Sequence, residues 1–275
     1  MELSNRNKII AIISSWLIFS HLTIFIFSFN QLKWNIESPH QFEYFPYFLN
    51  SPVVFSILFF VLLICDILIL VTRFKKLFSI LIGVTSYILL ISSFGFFIQS
   101  LLTTFWASLF LVWICFSCDP TKSKSLLLSQ IIISFIFLCS LMGKLTPEFW
   151  SGEIFYNLNF PRFDNSKVVS KIFSRSALIS EGIITLAFVS RKKIVIILQT
   201  VLILGMWIIT DPKIIDALGP LFGLSLANIF MIYSDTFKRV SIPKIFTINF
   251  FLWLFCLYII IPSVHYILNN LFNIL

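Results

Sequence analysis

The chain has 275 residues, 59% of them hydrophobic and 12% charged, where soluble domains carry roughly 45–50% apolar and about 25% charged residues. That balance, with 34 phenylalanines, excludes a soluble globular domain and describes an all-α, polytopic integral membrane bundle, because a lipid-facing sheath tolerates aromatic surface that water does not. The formal net charge is +8, yet the lysines and arginines lie in short clusters between apolar runs, a topology signal that gives no basis for a nucleic-acid partner.

A bilayer core needs about 20 apolar residues per helix, and about 17 suffice. Runs meeting or approaching that length lie near 9–29, 53–71, 77–96, 100–117, 126–143, 175–190, 194–210, 214–234 and 245–267. They predict about nine transmembrane helices in a single domain, residues 1–275. Arg6 and Lys8 before the first run look like the basic start of a signal peptide, but the run is too long and no small-residue cleavage pattern follows, so it is read as an uncleaved helix. With the N-terminus in the cytoplasm, Arg6, Lys8, Arg73, Lys75, Lys76, Lys122, Lys124, Arg191, Lys192, Lys193, Lys238, Arg239 and Lys244 all fall inside, thirteen of the 20 basic residues. The C-terminus then lies outside. A polar break in "SSFGFFIQS", 92–100, separates the third and fourth spans; merged into one helix they would invert every later loop and lose the charge pattern.

Two outer loops exceed a turn: 30–52, with Lys33, Trp34, Glu37, His40 and Glu43, and 144–174, which opens "KLTPEFWSGEIF". Lys144 ends the fifth span on the outer side. One reading has its ammonium reaching the headgroups along the helix; the other has the following segment, turned by Pro147 and Gly152 and anchored by Trp150, hold it over a cavity.

Glu181 lies ten residues before Arg191, roughly 15 Å above the inner edge and near the midplane, where an acid must be paired, protonated or facing a water-filled cavity. Asp66, about 9 Å from the inner end of its span, is expected to make a helix contact or pair with a basic residue near that end. His21 and His265 sit in the outer halves of the terminal spans and read as packing residues. With His40 they match no zinc spacing, so no metal site is expected. Cys115 and Cys118 form a C-x-x-C at an inner helix end with no thioredoxin-like strand beside it, and the other cysteines read as small hydrophobes. The inner basic clusters suit anionic lipid headgroups as well as topology.

The segment "LMGKLTPEFWSGEIFYNL" resembles the vitamin K-dependent gamma-carboxylase superfamily and its bacterial horizontally transferred transmembrane (HTTM) relatives. In these a helix ends in Gly-x-x-Lys-Leu or similar, followed a few residues later by Trp-x-x-Gly; the matching residues here are Gly143, Lys144, Leu145, Trp150, Ser151 and Gly152. "EFWSGEIFYNLNFP", which includes Glu153, matches at least as well the membrane proteins of bacterial sporulation-delaying toxin systems, needed to mature a secreted toxin peptide. "GPLFGLSLANIFMIY", 219–233, resembles the family's penultimate helix, so the likeness covers an HTTM-like core of about 50–235.

The resemblance implies a bundle of this size with an outward active face. In the carboxylase the matching lysine is implicated as the base that starts vitamin K oxygenation, a task requiring a neutral amine such as an apolar pocket favours. By that analogy Lys144 is a candidate catalytic residue, joined by Glu181 on its midplane position; Gly143, Trp150, Gly152 and Glu153 are the positioning residues, and His265 and Gln199 accessory. Gln199 stands near where the family commonly carries a histidine, and the animal carboxylase's large lumenal domain has no counterpart; both departures point away from carboxylation.

Three functions follow as alternatives. The first is maturation or production of a secreted toxin or antimicrobial peptide in a bacterial plasma membrane, with the precursor, other maturation proteins and membrane lipids as partners. The second is a carboxylase-like or quinone-linked enzyme using a lipid quinone. The third is a small transporter, for which Asp66 and Glu181 are few charges.

Overall fold

A computed structural model describes residues 2–35, 52–92, 98–118, 123–153, 167–187, 190, 192–209, 215–236 and 240–255. These residues are helical with short connections. The helices are α1 (Glu2–Asn35), α2 (Pro52–Val71), α3 (Lys75–Ser92), α4 (Ile98–Phe116), α5 (Ser123–Lys144), the short α6 (Pro147–Ser151), α7 (Lys167–Leu186), α8 (Lys193–Ile209) and α9 (Ile215–Ile232), then α10 (Ile242–Phe255). Three stretches, Asn5–Phe25, Val53–Val71 and Ser123–Lys144, are long and apolar enough to cross a bilayer.

Surface chemistry agrees with a membrane setting. On α2, Val53, Ile57, Phe60, Ile64, Ile67 and Val71 recur at helical spacing and all are exposed. A continuous apolar stripe of this kind belongs against hydrocarbon, not water. The opposite stripe, Phe55, Phe59, Leu62, Cys65 and Ile69, is buried in the bundle.

α1 and α9 form the centre. α1 is buried almost all round from Lys8 to Leu17, and it packs on α2, α4 and α9. Its contact with α9 is close because Gly223 faces Trp16: a Cβ at 223 would stand 2.6 Å from Trp16 Cβ. Phe222 meets the indole edge-on at 5.0 Å. Asn249 of α10 donates to Ser15 Oγ at 2.7 Å, tying α10 to the same helix. α1 also runs on to Asn35, so Lys33 and Trp34, expected in a loop, are helical; Glu37, His40 and Glu43 lie outside the described residues.

α3 and α4 are separate helices folded on each other. Ser86 and Ser108 Oγ lie 3.2 Å apart, and Val112 Cγ2 stands 3.4 Å from where a Cβ on Gly83 would lie. Both contacts centre the reversal within 92–100, where the polar break was read.

α5, α7, α8 and α9 complete the molecule. α5 packs on α7, α7 on α8, α8 on α9 and α9 back on α5. These four helices close a ring.

Candidate functional site

Lys144 is the last residue of α5, where a cation also meets the negative end of the helix dipole. Helical side chains lean toward the N-terminus of their own helix. Lys144 therefore leans down α5, and Glu181, on the antiparallel α7, leans up toward it. The two meet: Lys144 Nζ makes an ion pair with Glu181 Oε1. Ser140, one turn below Lys144, joins them, accepting from Lys144 Nζ at 2.9 Å and donating to Glu181 Oε1 at 3.2 Å.

The environment is asymmetric. The Lys144 side chain is 30% exposed and that of Glu181 1%, so the pair has one face toward the surface and one toward the interior. Glu181 Oε2 is buried without a hydrogen-bond partner.

The segment after Lys144 folds over the pair for reasons visible in its residues. Thr146 is the N-cap of α6 and its hydroxyl accepts from Phe149 N at 3.3 Å. Pro147 follows at the first helical position, where its missing N–H costs nothing. Gly152 ends the helix at φ 80°, a left-handed conformation that glycine adopts without penalty. A second constraint acts at the same residue: a Cβ on Gly152 would lie 2.5 Å from Lys171 N. Gly152 thus sets both the turn and the close seating of this segment on α7.

Phe149 points inward, buried beneath the turn, with Lys144 Nζ 5.8 Å from its ring centre. Its carbonyl accepts a hydrogen bond from Ser174 of α7. Trp150 points outward, half exposed, and Arg175 lies over its indole at 5.0 Å. Gly143 and Glu153 are exposed, and Glu153 contributes only its amide, donating to Ser151 Oγ at 3.4 Å.

No known protein family, curated protein or solved structure matches this chain.

Lys144, Glu181, Trp150 and Gly152 are therefore gathered at one place by α5, α6 and α7. Gln199 is buried on α8 and touches none of them by a hydrogen bond. His265 lies outside the described residues. Among the described residues no group of three or more histidines, cysteines or acids could hold a metal. Cys65, Cys115, Cys118 and Cys139 are free thiols, Cys115 buried and Cys118 exposed.

A second ionisable pair emerges between α1 and α2. His21 Nδ1 lies 2.7 Å from Asp66 Oδ2, both side chains fully buried. The contact brings them to one level of the bundle, although His21 was placed in the outer half of its span and Asp66 near the inner end of its own. α1 is helical from Glu2 to Asn35, beyond both ends of the apolar run at 9–29, so the run alone did not fix its axial setting against α2. The usable signal was the presence of one acid and one histidine in consecutive spans.

Proposed function

We propose that this chain is a bacterial plasma-membrane protein of about nine spans, N-terminus inside and C-terminus outside, that acts in maturation or production of a secreted peptide. The Lys144–Glu181 pair is the observation that carries the reading. It supplies a cation, a buried carboxylate and a hydroxyl at a helix end that the charge pattern places on the outer face. Lys75 and Lys76 begin α3 and Lys193 begins α8, at the opposite end of the bundle from Lys144. That clustering supports the orientation.

The chemistry suits a precursor that arrives at the outer membrane edge. A partly exposed ammonium binds a carboxylate or carbonyl of the peptide, while the α6 turn and the Trp150 indole provide an amphipathic rim. The precursor, membrane lipids and other maturation proteins are the partners.

The quinone-linked, carboxylase-like reading draws on a different aspect of the same contact. It needs a neutral Lys144 amine, and Glu181 is the neighbouring carboxylate that would take up the proton released. A lipid quinone would then be the co-substrate.

Mass spectrometry of secreted peptides tests both, comparing the parent strain, a deletion, and Lys144→Ala at equal expression. Maturation predicts one peptide that loses its processing in both mutants. Carboxylation predicts instead the loss of a mass equal to carbon dioxide. An unchanged peptide profile overturns both.

A further inference from the structure

Below the Lys144–Glu181 pair, the ring of α5, α7, α8 and α9 is polar where a membrane bundle is expected to be apolar. Gln130 on α5, Gln199 on α8 and Asn228 on α9 have at most 1% exposure. Neither the nitrogen nor the oxygen of any of these three amides has a hydrogen-bond partner in the protein. Glu181 Oε2, Thr185 Oγ1 and Ser129 Oγ share that state.

Register places these groups on one path. Ser134 donates to the Ile184 carbonyl at 3.2 Å, which fixes α5 against α7. Gln130 lies one turn below Ser134 on the same stripe, and Thr185 one turn below Glu181. Gln199 is six residues into α8 and Glu181 five residues from the end of α7, so the antiparallel pair holds them at about one level. On α9 the Trp16 contact assigns residues 222 and 223 to α1. At about 100° per residue, Asn228 is roughly 170° away from that face, on the side of α9 that packs on α4, α5 and α8. From Lys144 to Gln130 is fourteen positions on α5, roughly 21 Å of rise, against a hydrocarbon thickness of about 30 Å.

A buried amide left unpaired forfeits the hydrogen bonds it made in water, and lipid offers it no partner. We infer that the four-helix ring encloses a file of water molecules, running inward from Glu181 past Gln199 to Gln130 and Asn228. Each internal water makes about three hydrogen bonds, shared between these groups and the next water of the file. Their function is to give Glu181 a proton-exchange path directed away from Lys144, toward the opposite membrane face. This rests on the packing and on the unpartnered groups, and it stands or falls independently of the peptide-maturation reading.

Hydroxyl-radical footprinting of the full-length protein in nanodiscs, with oxygen-18 water and peptide mass spectrometry, reads internal water directly. Ile133, Ile184 and Ile203 belong to ring helices and have zero exposure, as do Ile82 and Leu89 on α3. The column predicts oxidation of the first three at least about tenfold above that of Ile82 and Leu89, with oxygen-18 incorporated. Combining Gln130→Leu with Gln199→Leu reduces it to the α3 level. Equal, background labelling of both sets in the unmodified protein means a dry amide network and overturns the inference without any variant. Labelling unchanged by the leucines also overturns it.

Discussion

Gly152 and Lys171 are in backbone contact across two helices, so close that a methyl group at 152 would overlap the Lys171 amide nitrogen at 2.5 Å. The turn that covers Lys144 is seated by this contact.

Gly152→Ala meets both the left-handed backbone, costing about 1–2 kcal/mol, and the overlap with α7. The variant is expected to insert normally yet release α6 from α7. A fluorescent probe at an introduced cysteine on α6 would move to a more polar environment. On the proposed maturation reading, secreted-peptide processing falls together with it.

Removing Lys144 leaves a buried carboxylate with Ser140 alone. Breaking a fully buried pair costs about 3–5 kcal/mol; with Lys144 partly exposed, about 1–3 kcal/mol is expected for Lys144→Ala after allowing for solvent screening. Glu181→Gln keeps the shape and the Ser140 contact, so its loss in thermal stability should be smaller while processing falls as much. Melting curves in detergent and the secreted-peptide assay separate the two effects.

His21→Ala strands Asp66 in the α1–α2 interface and is expected to destabilise by about 3–5 kcal/mol. Adding Asp66→Leu should recover much of that, because an apolar pair of similar volume often replaces a buried ion pair at little cost. Thermal unfolding of the four proteins forms a double-mutant cycle; additive losses would show that the two groups do not interact.

Ser86→Cys with Ser108→Cys, in a chain whose native cysteines are serine, is expected to form a disulfide on mild oxidation. Sulfurs replacing hydroxyls 3.2 Å apart need only a small adjustment to bond. In a continuous helix these positions would be roughly 33 Å apart. Absence of the cross-link would remove the α3–α4 reversal.

Much of the fold is legible in residues whose meaning is local. Pro147 and Gly152 mark a turn in the sequence, to which the structure adds the Thr146 cap, and the polar break before Ser100 marks a reversal. Lys144 and Glu181 were selected separately, as a cation at a helix end and an acid within a span, but nothing in either segment shows that they touch. Their meeting depends on the relative axial setting of α5 and α7, a tertiary quantity with no single-residue signature. The His21–Asp66 pair was missed for the same reason, and the amides of Gln130 and Asn228 drew no notice because one amide in an apolar run is unremarkable until its neighbours prove to be unpartnered amides too. Gln199 was noted through family likeness; the structure gives it a different interest.

The burial of α1 bears on how the molecule is made. Its Trp16 face is completed by Gly223, more than two hundred residues later in the chain. During synthesis His21 can meet Asp66 as soon as α2 follows, but the Trp16 face of the first helix must wait until α9 emerges to cover it. A ribosome stalled or a chain cut before that point leaves an intermediate whose Trp16 face is still open. The centre of the bundle is therefore closed by one of the last helices to be made, however early its first helix is inserted.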